Sequence, residues 1–234
     1  MSLVIDRRYC GPPDSANGGY FAGVLAQSLP GPVEVTLRLP PPLNRPMAVA
    51  QRDGGIEVLD GDRLVAQARP ADADVTRDLR DPVSLAQAEH ASESYIFASG
   101  GHPFPTCFVC GPQREPGDGL RIFPGPIGGL VACAWTPHES LADADGAVRP
   151  EYLWSALDCP TFFGAIAAGY AEPTATVLGR ITAQVWQRPA VGEPLVVQAW
   201  GESGQGRRSV AKSALFTAGG QVCAAASAIW FRLD

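Results

Sequence analysis

The feature of this 234-residue chain that most constrains its fold is an internal repeat. The segment "PPLNRP" (41–46) precedes a strand-like run in the first half, and "PAVGEP" (189–194) precedes one in the second, with the same spacing between the outer prolines. Likewise "DGDRLVAQA" (60–68) matches "AGGQVCAAA" (218–226), and each reads as a hairpin turn that leads into a final strand. Two matches in the same order indicate a duplication, which predicts two related folding units.

Each half has the same order of elements. Apolar runs predict a buried helix at residues 20–29, ended by Pro30 and Gly31, and a second buried helix within 149–171. Period-two or apolar patterns predict strands at 2–7, 33–39, 47–51, 55–59, 63–68, 130–135, 176–187, 194–203, 208–218 and 221–233. The stretch between the halves is rich in Gly and Pro, with one candidate surface helix at 81–96. We therefore divide the chain into an N-terminal unit (1–75), a connecting segment (76–128) and a C-terminal unit (129–234).

Charge and composition exclude several classes of partner. The net charge is −6, from 24 acidic and 18 basic residues, and no Lys/Arg cluster interrupts this balance. This argues against binding to nucleic acid or to anionic lipid. No stretch approaches the roughly 20 apolar residues of a membrane span, and the first residues lack the pattern of a signal peptide. We expect a cytoplasmic protein whose six cysteines are reduced thiols.

Two quoted stretches carry a resemblance to a known family. The first half contains "NGGYFAGVLAQSL" (17–29), which resembles the glycine-led central helix of the hotdog fold, and "WSALDCPTFFGA" (154–165) resembles the acid-bearing helix of hotdog thioesterases. Together they resemble the double-hotdog acyl-CoA thioesterase and thioesterase-like proteins, in both halves but not in the connecting segment. The resemblance implies an α+β tandem (double) hotdog, in which two antiparallel sheets, each wrapped around a central helix, lie side by side.

One carboxylate, Asp158, stands in the middle of the second apolar helix. A buried carboxylate is costly unless it is paired or hydrogen-bonded, so a structural interpretation has it bound to a backbone amide, Arg149 or Arg180. A catalytic interpretation uses it to activate water or to attack a thioester carbonyl. Thioester hydrolysis also needs donors for the developing oxyanion. A helix that begins at "NGG" offers free N–H groups.

The two helices complement each other. Asn17, Gly18 and Gly19 open the first helix, but Ala26 or Gln27 stands where Asp158 stands in the second. The second helix begins with Arg149, Pro150 and Glu151 instead of glycines. The resemblance implies a split site, with donors from one hotdog and the acid from the other, so we expect a single composite site and an inactive mirror-related one.

The expected roles at that site follow from the resemblance. Asp158 is the general base or nucleophile, the amides near Gly18 and Gly19 hold the oxyanion, and Asn17 orients the substrate. Asn17 stands where many family members carry His, and an Asn side chain donates a hydrogen bond but takes no proton at neutral pH. The three histidines lie outside both helices, which weakens a hydratase interpretation.

Several residues are candidates for substrate binding. The second helix carries Trp154, Phe162 and Phe163, which are core residues or line an acyl channel. Thr174 positions a water or caps a strand. Arg114 and Arg121, in the connecting segment, meet coenzyme A phosphates or are simply solvated.

The connecting segment also contains "CFVCG" (107–111), which resembles one knuckle of a zinc ribbon. A closed zinc site needs four ligands, and there is no second C-x-x-C. His102 is the nearest further candidate beside Cys107 and Cys110. The pattern favours a tight turn with two half-buried thiols over a zinc site.

The sequence thus predicts a thioesterase-like hydrolase that cleaves an acyl-CoA or another acyl thioester without a cofactor. The alternative is a non-catalytic acyl-ligand-binding or assembly protein with a vestigial site, and a zinc-stabilised scaffold is a third possibility. Because hotdog proteins commonly assemble further, we expect a homo-oligomer, specifically a dimer of double hotdogs.

Overall fold

A computed structural model describes residues 1–72 and 74–233 of the chain. The first half contains β1 (Ser2–Leu3), α1 (Gly18–Ala26), β2 (Val33–Leu37), β3 (Met47–Arg52), β4 (Gly55–Asp60) and β5 (Arg63–Pro70). The connecting segment contains α2 (Leu85–Ser92) and β6 (Gly125–Ile127). The second half contains β7 (Leu130–Trp135), α3 (Pro150–Ala167), β8 (Thr176–Val185), β9 (Leu195–Gln205), β10 (Arg208–Thr217) and β11 (Val222–Arg232).

The strands show the internal repeat directly. Across the described residues the sheet runs β1-β3-β4-β5-β2-β8-β11-β10-β9-β7-β6. Read outward from the β2–β8 pair, each half gives the same sequence of strands, with β5, β4, β3 and β1 on one side and β11, β10, β9 and β7 on the other. The two proline-flanked segments precede β3 and β9, which are equivalent in this arrangement. The predicted duplication is therefore visible in the topology.

The antiparallel sheets of the two halves lie side by side, as predicted, and they are joined edge to edge into one continuous sheet. β2 pairs with β8 in a register that sets Val33 opposite Ala183 and Thr36 opposite Arg180. Each half alone would leave one of these strands as an edge with unpaired N–H and C=O groups. Pairing the two edges satisfies both, and this places the central helices of the two halves next to each other.

The helices α1 and α3 pack in close antiparallel contact. A Cβ atom added at Gly19 would come within 2.4 Å of Asp158 Cβ, and one added at Gly23 within 2.6 Å of Glu151 Cα. The contacts on α3 thus move toward lower residue numbers as those on α1 move toward higher ones, so the two helices are antiparallel. Only glycine permits this approach, since real Cβ atoms do not come so near other heavy atoms. The N-terminus of α1 is thereby placed against the middle of α3.

The outer face of the second half is covered by the connecting segment. In β9, Leu195 and Val197 point into the main core, whereas Val196 and Trp200 belong to a second apolar cluster that includes Ala88 of α2. The buried Gln198 on the same outer face accepts a hydrogen bond from the Val83 amide and donates to backbone carbonyls of the same segment. Burial on both faces explains why the first six residues of β9, LVVQAW, are apolar apart from Gln198.

Most predicted elements are present, but one predicted strand is shortened and one strand was not predicted. The strand expected at 2–7 is only the two-residue β1, because a 3-10 turn over Arg7–Tyr9, capped by Asp6, follows it. The short strand β6 lies inside the stretch interpreted as loop and pairs with β7. The strand at 130–135 has the predicted bounds. None of the described helices is long and apolar enough to cross a bilayer.

Candidate active site

Asn17 joins the two central helices. Its side-chain Oδ1 accepts a hydrogen bond from the Tyr20 amide at 2.9 Å, which makes it the N-cap of α1. The backbone N–H of Asn17 donates to the Tyr9 carbonyl at 2.8 Å. With Oδ1 fixed by the cap, Nδ2 faces α3 and donates to Asp158 Oδ2 at 2.9 Å. Asn17 was expected to orient the substrate, but in the structure it orients the carboxylate.

Asp158 is held at the N-terminus of α1. Its Oδ2 also accepts a hydrogen bond from the Gly19 amide at 2.9 Å, and the side chain is only 1% exposed. Its Oδ1 is buried and receives no hydrogen bond from any residue that the structure describes. Burial raises the pKa of Asp158 to about 7, although the Gly19 and Asn17 hydrogen bonds act in the opposite direction.

The arginines considered as partners of Asp158 are engaged elsewhere. Arg149 lies over the Tyr152 ring, with its guanidinium carbon 4.7 Å from the ring centroid, and Arg180 donates to Thr36 at 3.0 Å. The carboxylate therefore rests on amide donors of α1 instead of a cation.

Only one of the two expected oxyanion amides is available. The Gly19 N–H is used by Asp158, so its expected role at the oxyanion is corrected to one of holding the acid. The Gly18 N–H has no acceptor within residues 1–72 and 74–233, and Gly18 lines the cavity described next. As the first residue of α1 it carries one of the unpaired N–H groups at the positive end of the helix.

A cavity of about 280 Å³ opens beside Asp158. Aromatic side chains contribute much of its wall, namely Phe97, Phe104, Phe162, Phe163 and Trp230. Exposed Arg38 and Pro40 also border the cavity, which places its mouth at the surface near them. A mostly apolar pocket with a few convergent polar groups is the usual form of a small-molecule site.

Two of the four predicted substrate-binding residues line the cavity and two do not. Phe162 and Phe163 lie in its wall. Trp154 instead packs against α1, where a Cβ added at Gly23 would come within 2.8 Å of Trp154 Cβ, so it belongs to the helix interface. Thr174 is exposed in the loop before β8, and Thr176 lines the cavity in its place.

The two loop arginines are structural. Arg114 donates to Asp118 at 2.8 Å and to the Thr106 carbonyl at 2.8 Å, and only 12% of its side chain is exposed. Arg121 donates to the Arg114 carbonyl. Their expected role on coenzyme A phosphates is therefore not supported, because these hydrogen bonds hold the connecting segment together.

At the mirror-related position, the described residues form a different set of contacts. Gln27 Nε2 donates to Glu151 Oε2 at 3.1 Å, and Arg149 Nε lies 3.4 Å from the other Glu151 oxygen. Both carboxylate oxygens of Glu151 therefore have a partner, unlike those of Asp158. The two helix contacts are related by the repeat, but only the Asp158 side adjoins the apolar cavity.

Comparison with solved structures identifies the architecture. The chain is similar to a tesB protein of Mycobacterium avium subs paratuberculosis, at 12% identity and a TM-score of 0.61, with 96% of this chain and 90% of that chain covered. It is similar to a conserved protein of unknown function with hot dog fold from Alicyclobacillus acidocaldarius, at 11% identity and a TM-score of 0.64, with 100% and 92% covered. It is also similar to a "putative thioesterase II" from Thermobifida fusca, at 13% identity and a TM-score of 0.60, with 100% of this chain and 92% of that chain covered.

The chain has the double hotdog fold. The similarity extends over nearly the full length of both partners in each pair, which confirms the predicted tandem arrangement. Identities this low show the fold alone. No protein-family model and no curated protein sequence matches the chain.

Three buried thiols adjoin the carboxylate, and one of them was missed in the sequence. Cys107 and Cys110 come from the connecting segment, and Cys159 follows Asp158 on α3 of the second hotdog. Hydrogen bonds from the Cys110 and Cys159 side chains hold the pKa of the Cys107 thiol well below its usual range. His102 is not part of this cluster; its Nδ1 accepts a hydrogen bond from the Phe104 amide at 3.0 Å. No local signal in the sequence places Cys159 beside the C-x-x-C turn, because the contact depends on how the connecting segment packs.

Proposed function

We propose that this double hotdog hydrolyses acyl thioesters at one composite site, with the acid from the second hotdog and the oxyanion donor from the first. The observation that carries the proposal is the setting of Asp158. Two donors on α1 fix its Oδ2 at 2.9 Å each, and its other oxygen is unpaired beside an apolar cavity. A carboxylate held in one orientation with one free oxygen suits proton transfer to or from a bound water.

The chemistry follows from these positions. Asp158 Oδ1 takes a proton from a water, which attacks the thioester carbonyl carbon, and the carbonyl π electrons move to oxygen. The Gly18 N–H and the positive end of α1 stabilise that oxyanion. When the intermediate collapses, the C–S bond breaks and Asp158 returns the proton to the leaving sulfur. In the nucleophilic variant, Asp158 Oδ1 attacks the carbonyl carbon, the C–S bond breaks and the thiolate leaves with a proton from solvent. Water then hydrolyses the resulting anhydride, which releases the acid and restores Asp158.

The lining of the cavity supports a proposal for the substrate class. Its aromatic wall would hold the acyl group away from water. Arg38, exposed at the mouth, would meet an anionic carrier, since guanidinium groups bind phosphates well. We propose acyl-CoA as the substrate class, with Arg38 in the role that was one of two alternatives for Arg114 and Arg121.

One observation also favours a second candidate, a non-catalytic acyl-ligand-binding protein. The same hydrogen bonds that present Asp158 also pin α1 to α3, as a purely structural carboxylate would do. In that case the cavity binds acyl-CoA and the thioester persists.

A panel of acyl-CoA substrates of varied chain length separates the two. Release of free coenzyme A is followed chromatographically, so that the six thiols of the protein do not contribute to the signal. The hydrolase predicts turnover by the unchanged chain and loss of turnover in Asp158→Asn. Tight binding of an acyl-CoA with no turnover by either protein would establish the ligand-binding candidate instead.

The expected oligomer and location stay predictions. A dimer of double hotdogs would give about twice the 24.6 kDa chain mass in light scattering. A cytoplasmic location, and the absence of nucleic-acid and membrane partners, rest on charge and composition alone.

A further inference from the structure

We propose that Cys107, Cys110 and Cys159 bind one thiophilic divalent cation, Zn²⁺ in the first instance, in a site that lies between the connecting segment and α3. This inference does not depend on the proposed hydrolase. It rests on the positions of three sulfur atoms that come from two distant parts of the chain.

The first two ligands sit on a turn shaped for metal binding. The Gly111 amide donates to the Cys107 carbonyl at 2.9 Å, and a Cβ added at Gly111 would come within 2.5 Å of that same oxygen. Only glycine therefore closes the turn after Cys110. A C-x-x-C turn of this kind presents two sulfurs to one ion in structural zinc sites.

The third ligand is supplied by the fold. Cys159 lies 52 residues further along the chain, yet its Sγ is 3.8 Å from Cys107 Sγ. The three ligand atoms all lie within 4.8 Å of one another. Since Zn–S bonds are about 2.3 Å long, tetrahedral geometry sets two thiolate sulfurs about 3.8 Å apart. The sulfurs thus need only small movements to share one ion.

The surroundings also suit a metal. Asn17 Nδ2 lies 3.9 Å from Cys107 Sγ and 3.8 Å from Cys159 Sγ, where an amide donor would support metal-bound thiolates from the outer shell. All three cysteines line the cavity, so a water or an exogenous ligand would take the fourth position. Cation binding would release the thiol protons to solvent. A disulfide would use only two of the three sulfurs, which is why we favour the metal.

The first test is metal uptake by the full chain. The protein is reduced, freed of metal and titrated with Co²⁺, which gives thiolate-to-cobalt charge-transfer bands and visible bands typical of tetrahedral sites. We expect saturation at about one Co²⁺ per chain, and displacement of the spectrum by Zn²⁺. The absence of these bands in the folded, reduced protein would overturn the proposal, as would mass mapping of a disulfide within the cluster together with no metal uptake after reduction.

Matched cysteine variants assign the ligands. Cys159→Ala and Cys110→Ala should lose the charge-transfer bands, whereas Cys133→Ala and Cys223→Ala, which are buried but outside the cluster, should keep them. Circular dichroism identifies any variant that fails to fold. If Cys110→Ala is unfolded, the ¹¹³Cd chemical shift of the loaded unchanged chain counts the sulfur ligands without a mutation. A shift typical of three sulfurs supports the site, and one typical of oxygen and nitrogen ligands refutes it.

Discussion

At the scale of single residues, Asn17 explains how a carboxylate is kept in an apolar core. One face of its amide caps α1 and the other donates to Asp158, so the helix start and the acid are fixed by one side chain. An Asn is suited to this because it carries an acceptor and a donor at opposite sides of one group. Asn17, which lacks the proton-transfer ability of a His, thus positions the Asp158 carboxylate.

Exchange of Asn17 separates its two functions. Asn17→Ser keeps a side-chain oxygen for the Tyr20 amide but removes the donor to Asp158. Asn17→Asp has the same two effects and also adds a negative charge beside Asp158. Loss of a hydrogen bond to a charged group predicts a fall in kcat of about 10- to 100-fold for Asn17→Ser, and a larger fall for Asn17→Asp. Steady-state kinetics with coenzyme A release checks this. Unchanged kcat in both variants, with unchanged helix content, would show that the contact with Asp158 has no catalytic role.

The meeting of Asn17 with Asp158 could be anticipated from the sequence, whereas the meeting of Cys159 with the C-x-x-C turn could not. The first pair lies on the two repeated helices, and the resemblance to hotdog thioesterases places such helices together. The cysteine cluster depends instead on where an irregular, Gly- and Pro-rich segment packs. Nothing in local propensity or periodicity reports that path.

At the scale of elements, the approach of α3 to the sheet depends on Gly164. A Cβ added at Gly164 would come within 2.7 Å of the Trp200 amide nitrogen and 2.9 Å of Ala199 C, both in the backbone of β9. Backbone atoms of a central strand cannot move aside as a flexible side chain can. The helix therefore sits closer to β9 than any other residue would allow.

The change Gly164→Ala tests this contact. We expect a loss of about 1–3 kcal/mol in the free energy of unfolding, the usual cost of overpacking, measured by urea denaturation. Gly219→Ala is the matched control, since Gly219 is exposed and an added Cβ meets only Thr217 Oγ1 at 3.7 Å. Equal stability of the two variants would mean that α3 can shift freely over β9.

The regular elements were more predictable than the short ones. The long strands of the second half and both central helices carry strong apolar patterns, and their existence was anticipated with small errors at the ends. β6 is only three residues long and includes Pro126, so it gives no period-two signal. The predicted strand at 2–7 failed because pairing with β3 covers only two of its residues. Elements of this length are decided by their neighbours and not by their own sequence.

At the scale of the whole molecule, the β2–β8 pair makes two hotdogs into one structure. The sheet is continuous across this pair, and α1 is packed on α3 through Gly19 and Gly23. A unit that shares its sheet and its helix interface should unfold cooperatively. The chain offers an internal probe of this, because all five tryptophans lie in the second half.

Thermal unfolding followed by two probes should therefore give a single transition. Far-ultraviolet circular dichroism reports both halves, and tryptophan fluorescence reports the second half only. We expect the same midpoint from both, since loss of either half exposes the β2–β8 edge and the helix interface of the other. A separate circular-dichroism transition that leaves the fluorescence unchanged would show that the first half unfolds independently.

The duplication also leaves two related contacts between the central helices, and we assign chemistry to only one of them. Asp158 meets the glycine-led start of α1 beside the cavity, whereas Glu151 is paired with Gln27 and Arg149. The proposed activity should therefore depend on one buried acid and not on the other, although both lie on α3.

The most direct test is the coenzyme A release rate of Asp158→Asn beside that of Glu151→Gln, each at saturating acyl-CoA and with its thermal stability measured. Both changes remove one buried carboxylate from α3 while keeping its shape. We expect Asp158→Asn to lose at least about 100-fold in kcat, as removal of a general base or nucleophile does, and Glu151→Gln to stay near the unchanged chain. Full activity in a folded Asp158→Asn variant, or equal losses in both variants, would contradict a single composite site built around Asp158.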